Sequence, residues 1–194
     1  MAIKTSHTAL WVADLSRAWE ALGFEVVDGC VPLDGVAIRF GHVRALSIQG
    51  IPAGELDGVP LLEAPAPPAP LQHPNGVFAV DHFVIVTPDF DRTVAALDAL
   101  GLTPRRIRDA GGFRQGFRRL GPAILELVEA QQMPAGPARF WGVTMIASDL
   151  DGLATRLGSK LRPIKDAVQL GRRIATLDRA AGLKTNVAFM TPED

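Results

Sequence analysis

The chain has 194 residues, enough for one domain of moderate size or two small ones with a buried core. Hydrophobic residues make up 47% and charged residues 21%, which excludes bulk disorder. A formal net charge of −1 argues against a broad electrostatic surface for nucleic acid or an anionic membrane. The single cysteine, Cys30, excludes an internal disulfide. No apolar run resembles a signal peptide or the roughly 20 residues of a membrane span, so we expect a cytoplasmic protein.

Three segments repeat one pattern: an apolar run rich in β-branched residues, an aspartate, a helical stretch and a Leu-Gly pair. The segments are residues 6–23, 81–101 and 141–158. Each aspartate is well placed to cap the helix after it, because its carboxylate can accept hydrogen bonds from the first free amides. These aspartates are Asp14, Asp89 and Asp149. The apolar runs predict strands, and the Leu-Gly pairs predict helix ends.

Three further strands are predicted after each Leu-Gly pair. In the first unit they cover residues 24–27, 36–40 and 43–48. In the second unit they cover 102–107, 113–120 and 123–128, and in the third unit 161–164, 172–177 and 185–190. Each unit therefore predicts the order strand, helix and three strands, written βαβββ, and the chain is predicted to be an α+β protein.

The predicted modules are separated by segments of very different length. Residues 1–50 form the first module, and residues 51–77, rich in proline, are predicted to be a surface spacer. Residues 78–194 hold two modules, 78–130 and 138–194, joined by a short linker. The short linker favours pairing of the second module with the third.

Two stretches resemble strands of a known superfamily. They are Val80–Asp91, which reads VDHFVIVTPDFD, and Leu120–Glu129, which reads LGPAILELVE. They resemble the first and last strands of a module in the vicinal oxygen chelate superfamily of glyoxalases, extradiol dioxygenases and bleomycin-resistance proteins. The resemblance implies paired βαβββ modules whose mixed sheets curl around a cavity, with the helices outside. It leaves the reaction open, because this superfamily includes lyases, epimerases, dioxygenases, thiol transferases and non-catalytic binders.

The resemblance also implies a metal site. Alternation along the predicted strands places His82 and Glu126 on the cavity side, where metal-using relatives hold a divalent ion such as iron, manganese, nickel or zinc. Glu126 is then also the implied catalytic residue. The third module departs from this pattern, since a shift of 60 residues places Gly142 where His82 lies. A cavity without metal is therefore an equal alternative.

The first module offers another possible ligand. A shift of 75 residues places His7 at the position of His82, and Ser47 roughly at that of Glu126. If the first two modules shared a cavity, His7, His82 and Glu126 would form the two-histidine, one-carboxylate set of iron(II) oxygenases. The linker lengths favour the other pairing, so both arrangements stay open here.

Arginines on the middle strands of the second module are candidates for substrate binding. Alternation places Arg114 and Arg118 on one face and Arg119 on the other. One of these sets could bind a substrate carboxylate through paired hydrogen bonds. The alternative is that they are solvent-facing charges on strand edges.

The sequence thus predicts a glyoxalase-like small-molecule enzyme of lyase, isomerase or dioxygenase type that uses a divalent metal. The alternative is a non-catalytic protein that sequesters a small ligand without metal, as bleomycin-resistance proteins do. We also expect a homodimer, because an odd number of modules would leave one curved sheet with an exposed apolar face.

Overall fold

The computed structural model describes residues 7–109 and 111–193, and these form two mixed β-sheets with helices against them. The smaller sheet is built from the N-terminal third of the chain. Its strands are β1 (Thr8–Val12), β2 (Cys30–Leu33), β3 (Val36–Phe40), β4 (Ala45–Ile48), β5 (Gly54–Leu56) and β6 (Val59–Leu61). They lie in the order β2-β3-β1-β4-β6-β5, and helix α1 (Ser16–Glu20) follows β1.

The larger sheet contains the remaining strands. They are β7 (Val77–Thr87), β8 (Arg106–Asp109), β9 (Arg114–Leu120), β10 (Ala123–Glu129), β11 (Arg139–Ala147), β12 (Lys165–Asp166), β13 (Arg173–Thr176) and β14 (Asn186–Met190). Helix α2 (Phe90–Ala99) follows β7, and helix α3 (Leu150–Leu157) follows β11. Short 3₁₀ turns occur at Gly158–Lys160 and Arg179–Ala181. None of the helices in the described residues is long and apolar enough to cross a membrane.

The larger sheet consists of two βαβββ modules side by side. Its strand order is β12-β13-β14-β11-β7-β10-β9-β8, with β7 and β11 antiparallel at the centre. In each module the first strand runs parallel to the last, β7 to β10 and β11 to β14. The predicted α+β class with paired βαβββ modules is therefore confirmed. This is the paired-module arrangement that the resemblance to vicinal oxygen chelate proteins implies.

The aspartate caps are confirmed for two of the three predicted helices. The Asp89 side chain accepts a hydrogen bond from the Arg92 amide, and the Asp149 side chain accepts one from the Gly152 amide. Asp14 has a different role, because α1 begins with Leu15 at its N-cap position. Its buried carboxylate instead accepts a hydrogen bond from the backbone amide of Lys184, at 2.5 Å. Asp14 therefore joins the smaller sheet to the loop before β14.

The smaller sheet repeats the order and directions of the six central strands of the larger one. β1 has a parallel neighbour, β3, and an antiparallel neighbour, β4, just as β7 has β10 and β11. β4 is in turn parallel to β6, as β11 is to β14. The N-terminal unit is thus a reduced pair of modules. Within the described residues it lacks the outermost strands and the second helix.

This topology differs from the single βαβββ module predicted for residues 1–50. The predicted strand 24–27 has only an isolated bridge between Val27 and Cys30. β4 was interpreted as the last strand of that module, but it occupies the place of β11. The hairpin β5–β6 lies inside the segment interpreted as a spacer, and it turns at Asp57 and Gly58, both with positive φ. An Asp-Gly pair is a strong hairpin signal, and it was available in the sequence.

The two sheets share one core. Buried residues of both belong to one continuous apolar cluster, in which the ring of Phe24 stacks on that of Phe189. The turn of the β5–β6 hairpin also contacts α2, because the Asp57 carboxylate accepts hydrogen bonds from Arg92 and Thr93. The first module is therefore covered within the chain, which removes the reason given for a homodimer. The oligomeric state itself stays a prediction.

Candidate functional site

A cavity of about 380 Å³ lies against one face of the larger sheet, between its two modules. Its wall is mainly apolar, and two partly exposed aromatic side chains, Phe113 and Trp141, contribute to it. The other apolar lining residues are Val84, Val86, Val128, Val143, Ile174, Val187 and Ala188. The polar lining residues are His82, Gln115, Glu126, Thr144, Thr176 and Asn186. A concave apolar site with a few convergent polar groups is typical of small-molecule binding.

His82 and Glu126 meet in this wall. They lie on the parallel neighbours β7 and β10, where Glu126 pairs with Val84, two residues beyond His82. Alternation turns both side chains to the cavity face, and His82 Nε2 lies 3.5 Å from Glu126 Oε2. Both side chains are mostly buried, with 16% and 13% of their surface exposed.

A β-bulge gives His82 a carboxylate partner. Thr144 pairs with His82 and the next residue, Met145, pairs with Val80, so Asp81 is an extra residue in β7. A bulge re-aims a side chain that strict alternation would turn to the opposite face. Asp81 Oδ2 consequently lies 2.7 Å from His82 Nδ1. The other oxygen of Asp81 accepts a hydrogen bond of 2.6 Å from Arg172, which comes from the third module.

Glu126 is held from the other side. Gln115 on β9 donates a hydrogen bond of 2.6 Å to Glu126 Oε1. Arg108 on β8 donates a hydrogen bond of 2.6 Å to Gln115 Oε1, and its guanidinium lies 5.4 Å from the centre of the Phe117 ring. The carboxylate therefore has a fixed orientation, with its second oxygen directed at His82.

The two carboxyls of the site have opposite pKa shifts. Burial raises the pKa of Glu126 above its ordinary value, and nearby Asp81 adds to this, while His82, Arg108 and Gln115 oppose it. Burial alone would also raise the pKa of Asp81, but hydrogen bonds from His82 and Arg172 hold it below its ordinary value. The site thus has a carboxyl that stays ionised and one that is easier to protonate.

We expect these shifts to appear in the pH dependence of folding. Between the ordinary pKa of a glutamate and the raised pKa of Glu126, the Glu126 carboxyl is mostly protonated in the folded state and mostly ionised in the unfolded state. Stability from the protonated carboxyl is thus lost as pH rises through that raised pKa. A Glu126→Gln variant lacks this loss, so it should gain stability relative to the natural protein by up to about 1.4 kcal/mol per pH unit in that window. Urea unfolding from about pH 4 to about pH 8 measures the difference.

The matched control is Glu63→Gln, which changes an exposed carboxyl. Its stability difference from the natural protein should stay nearly constant over the same pH range. The contribution of Asp81 has the opposite sign, because it is present above the ordinary aspartate range and lost as pH falls through the lowered pKa. This loss occurs mainly below the pH range of the measurement, so it has little effect on the comparison. A pH-independent difference for Glu126→Gln would contradict the expected shift.

The facial triad considered from the sequence is not formed. His7 lies beside β1 in the smaller sheet, almost fully buried, and does not line the cavity that holds His82 and Glu126. Burial, followed by the charge of Arg39, lowers its pKa. Ser47 is not the counterpart of Glu126 either, because Ala37 occupies that position opposite Ala9. The Ser47 hydroxyl accepts a hydrogen bond from Trp11 Nε1 at 2.8 Å.

The residues present do not fit a complete metal site. Within the described ranges 7–109 and 111–193, no group of three or more His, Cys, Asp or Glu side chains could hold an ion. The positions in the third module that correspond to His82 and Glu126 are Gly142 and Ala188. A side chain at Gly142 would place its Cβ 2.3 Å from the carbonyl oxygen of Asn186, so glycine alone suits this backbone. Half of the implied ligand set is therefore missing, and at Gly142 the reason is steric.

The three arginines proposed for substrate binding do not line the cavity. Arg114 pairs with Glu129 and Asp91 on the opposite side of the sheet, and these hydrogen bonds raise its pKa. Arg118 is buried and donates to the carbonyl oxygens of two residues after α2. Arg119 donates to the carbonyl oxygen of Pro122 at the turn before β10. The predicted division into two faces agrees with these contacts, but all three arginines have partners within the protein.

Sequence reasoning missed most of the polar surroundings of His82 and Glu126. Gln115 lines the cavity, and alternation along β9 could have predicted this, since it places Gln115 on the same face as Arg119. Asp81 was hidden by the bulge, which carries no clear signal in one sequence. Arg172 approaches from 91 positions along the chain, so only the folded structure brings it to Asp81.

No family model matches the chain, and no curated protein has a significantly similar sequence. Solved structures match it in fold. Methylmalonyl-CoA epimerase from Mycobacterium tuberculosis has 18% identity and a TM-score of 0.49, over 61% of this chain and 91% of that one. The Streptomyces coelicolor epimerase with 2-nitronate-propionyl-CoA has 17% identity and a TM-score of 0.48, over 61% and 99%. A hypothetical protein from Bacillus halodurans has 13% identity and a TM-score of 0.48, over 59% and 94%.

Proposed function

We propose that the cavity of the larger sheet binds a small organic molecule with a mainly apolar body, and that Glu126 and His82 exchange a proton with it. The observation that carries this proposal is a buried carboxyl–imidazole pair in the wall of an otherwise apolar cavity. Both groups can take or give a proton, and both face the space that a ligand would fill. The proposed activity is that of a glyoxalase-like enzyme of lyase or isomerase type.

Glu126 is the proposed base. Its ionised form would remove a proton from a carbon atom beside a carbonyl group of the ligand. Burial disfavours the negative charge of the carboxylate and so raises the pKa of Glu126. A carboxylate with a raised pKa is a stronger base. Gln115 holds one oxygen of the carboxylate, so the oxygen next to His82 is free to receive the proton.

His82 is the proposed partner in this transfer. Its Nε2 atom lies beside the same oxygen, and when both ring nitrogens are protonated Nε2 could give its proton to the ligand oxygen as negative charge develops there. The apolar wall lowers the local dielectric constant and strengthens both interactions. No step in this scheme passes through a metal ion, since the donor set is incomplete.

The proposal can be tested with 2-tetralone, a neutral bicyclic ketone whose carbon-bound protons exchange when it forms an enolate. Incubation in deuterium oxide followed by proton NMR measures the exchange. We expect the natural protein to accelerate exchange at the carbon beside the carbonyl. Glu126→Gln keeps the shape of the side chain but is not a base, and should lower the rate by about 100-fold or more. Glu63→Gln, on the surface, should retain the full rate.

A second candidate function is sequestration of a small ligand without chemistry. The observation in its favour is that, among the described residues, the third module contributes no ionisable side chain to the cavity wall, where its lining residues include Trp141, Asn186 and Ala188. Chemical-shift changes at the Trp141 indole show whether 2-tetralone and related compounds bind. Binding without exchange would support this second function. Absence of both binding and exchange across a panel of bicyclic ketones, alcohols and amines would contradict both proposals.

A further inference from the structure

A continuous chain of polar side chains crosses the wall of the cavity from one module to the other. In order, it comprises Arg172, Asp81, His82, Glu126, Gln115 and Arg108. An arginine stands at each end, and neither arginine lines the cavity. The positive charges of the two arginines equal the negative charges of Asp81 and an ionised Glu126.

The first arm of this chain runs from Arg172 through Asp81 to His82, and its hydrogen-bond directions follow from Arg172. A guanidinium can only donate, so Asp81 Oδ1 accepts from it at 2.6 Å. Arg172 is itself held, because its Nε donates to the carbonyl oxygen of Thr191 at 2.8 Å and its side chain is only 5% exposed. Asp81 is then an ionised acceptor at both oxygens. His82 Nδ1, 2.7 Å from the second oxygen, must carry the hydrogen.

The second arm runs from Arg108 through Gln115 to Glu126, and its hydrogen-bond directions follow from Arg108 in the same way. Its Nε can only donate, so the atom of Gln115 that it contacts at 2.6 Å is the amide oxygen. The amide nitrogen of Gln115 is thereby turned to Glu126, and donates to Oε1 at 2.6 Å. One oxygen of Glu126 is occupied as an acceptor, and Oε2 remains.

We infer that Arg172 and Arg108 are positioning residues that confine the one mobile proton of the site to the gap between His82 Nε2 and Glu126 Oε2. All other hydrogens in the chain have their places assigned by the two arginines. The gap is 3.5 Å wide and lies in the cavity wall, where a ligand atom can reach it. This inference rests on the proposed function, since the position of the proton matters only if the pair transfers it.

The first arm can be tested without any ligand, by nitrogen-15 NMR of the histidine ring at about pH 8, above the ordinary histidine range. In the natural protein, His82 should carry its hydrogen on Nδ1. In Asp81→Asn, Arg172 should still hold the side-chain oxygen, so the amide group is turned to Nδ1 and the hydrogen should move to Nε2. Asp81→Asn combined with Arg172→Lys keeps a donor and should show the same reversal. In the double variant Asp81→Asn, Arg172→Met, the asparagine amide can turn over. The ring hydrogen of His82 should then lose its preference for one nitrogen.

A merely structural role for Arg172 would not reverse the ring hydrogen. If Asp81→Asn leaves it on Nδ1, or if Arg172→Met makes no difference to the double variant, the inference is wrong for this arm. Peak assignment uses His82→Ala. The circular dichroism spectrum of each variant checks that it is folded before its ring nitrogens are compared.

The second arm is tested by the exchange of 2-tetralone. Arg108→Met should lower the exchange rate about tenfold while leaving ligand affinity and the His82 hydrogen unchanged, because Gln115 can then turn its oxygen to Glu126. Arg108→Lys retains a group that only donates and should restore most of the rate. If Arg108→Lys is as impaired as Arg108→Met, the packing of the guanidinium on Phe117 is what matters, and the inference fails.

The two experiments separate this inference from the proposed function. If the natural protein does not exchange 2-tetralone but the ring hydrogen of His82 reverses as expected, the proposed chemistry is wrong and the positioning by Arg172 stands. If exchange depends on Glu126 but the ring hydrogen does not reverse, the chemistry stands and the inference is overturned.

Discussion

Replacement of Phe189 by alanine should lower the free energy of unfolding by about 3–5 kcal/mol, the range for truncation of a buried aromatic residue. Phe189 lies on β14 of the larger sheet and is 0% exposed. Its ring stacks on that of Phe24, from the smaller-sheet unit, with centroids 6.5 Å apart and an interplanar angle of 26°. Loss of the ring leaves a void between the two sheets that neither can fill alone.

The measurement is urea unfolding followed at two places. Fluorescence of Trp19, which packs 5.3 Å from Phe24, reports on the smaller-sheet unit when Trp11 and Trp141 are replaced by phenylalanine. Far-ultraviolet circular dichroism reports on both sheets. Because the core is shared, the two signals should change together in the natural protein. A Phe24→Ala, Phe189→Ala cycle should give a coupling energy of about 0.5–1.5 kcal/mol.

Phe78→Ala is the control, because this phenylalanine is 42% exposed and its loss should change stability little. Separate unfolding transitions for the two probes would contradict the single core. A coupling energy near zero between Phe24 and Phe189 would also contradict it, since each phenylalanine would then stabilise only its own unit.

Removal of Arg172 alone should also lower the free energy of unfolding by about 3–5 kcal/mol. It leaves the Asp81 carboxylate on β7 largely buried and without its arginine partner. The side chains of Arg172 and Asp81 are 5% and 12% exposed, and their atoms lie 2.6 Å apart. The double variant Arg172→Met, Asp81→Leu removes both charges. It should be more stable than Arg172→Met, since the penalty is for an unpaired buried charge rather than for the absence of an ion pair.

Urea unfolding at neutral pH measures all three proteins. Arg162→Met is the matched control, because Arg162 pairs with Asp178 at the surface, where its side chain is 60% exposed. Its stability should remain close to that of the natural protein. A double variant less stable than Arg172→Met would show that the pair itself stabilises the fold, contrary to this expectation.

The repeated modules of the larger sheet could be predicted because their signals are local. The caps at Asp89 and Asp149 each depend on a few consecutive residues, and the strands show the expected alternation. Alternation also sufficed to turn His82 and Glu126 to the same side of the sheet. The α+β class and the paired modules followed from these patterns, together with the resemblance to known proteins.

The first 61 residues were harder to interpret, because similar local patterns are used there in a shortened unit. The spacing from His7 to Asp14 matches that from His82 to Asp89, yet the strand beside it has Ala37 where a carboxylate would be needed. Which strand pairs with which depends on contacts between distant parts of the chain. The Asp-Gly turn at residues 57 and 58 was the one local signal that could have revealed the extra hairpin.

By itself, the sequence determined local features of the larger sheet: the first and last strands of its modules, where helices α2 and α3 begin, and which face of β7 and β10 has the ionisable pair. Only the tertiary structure decided the chemistry around that pair. The bulge that turns Asp81 to His82 arises from the pairing of β7 with β11, and Arg172 reaches Asp81 only after the third module has folded against the second. Local periodicity reports the direction of a side chain, whereas its partners, its burial and its pKa depend on elements far away along the chain.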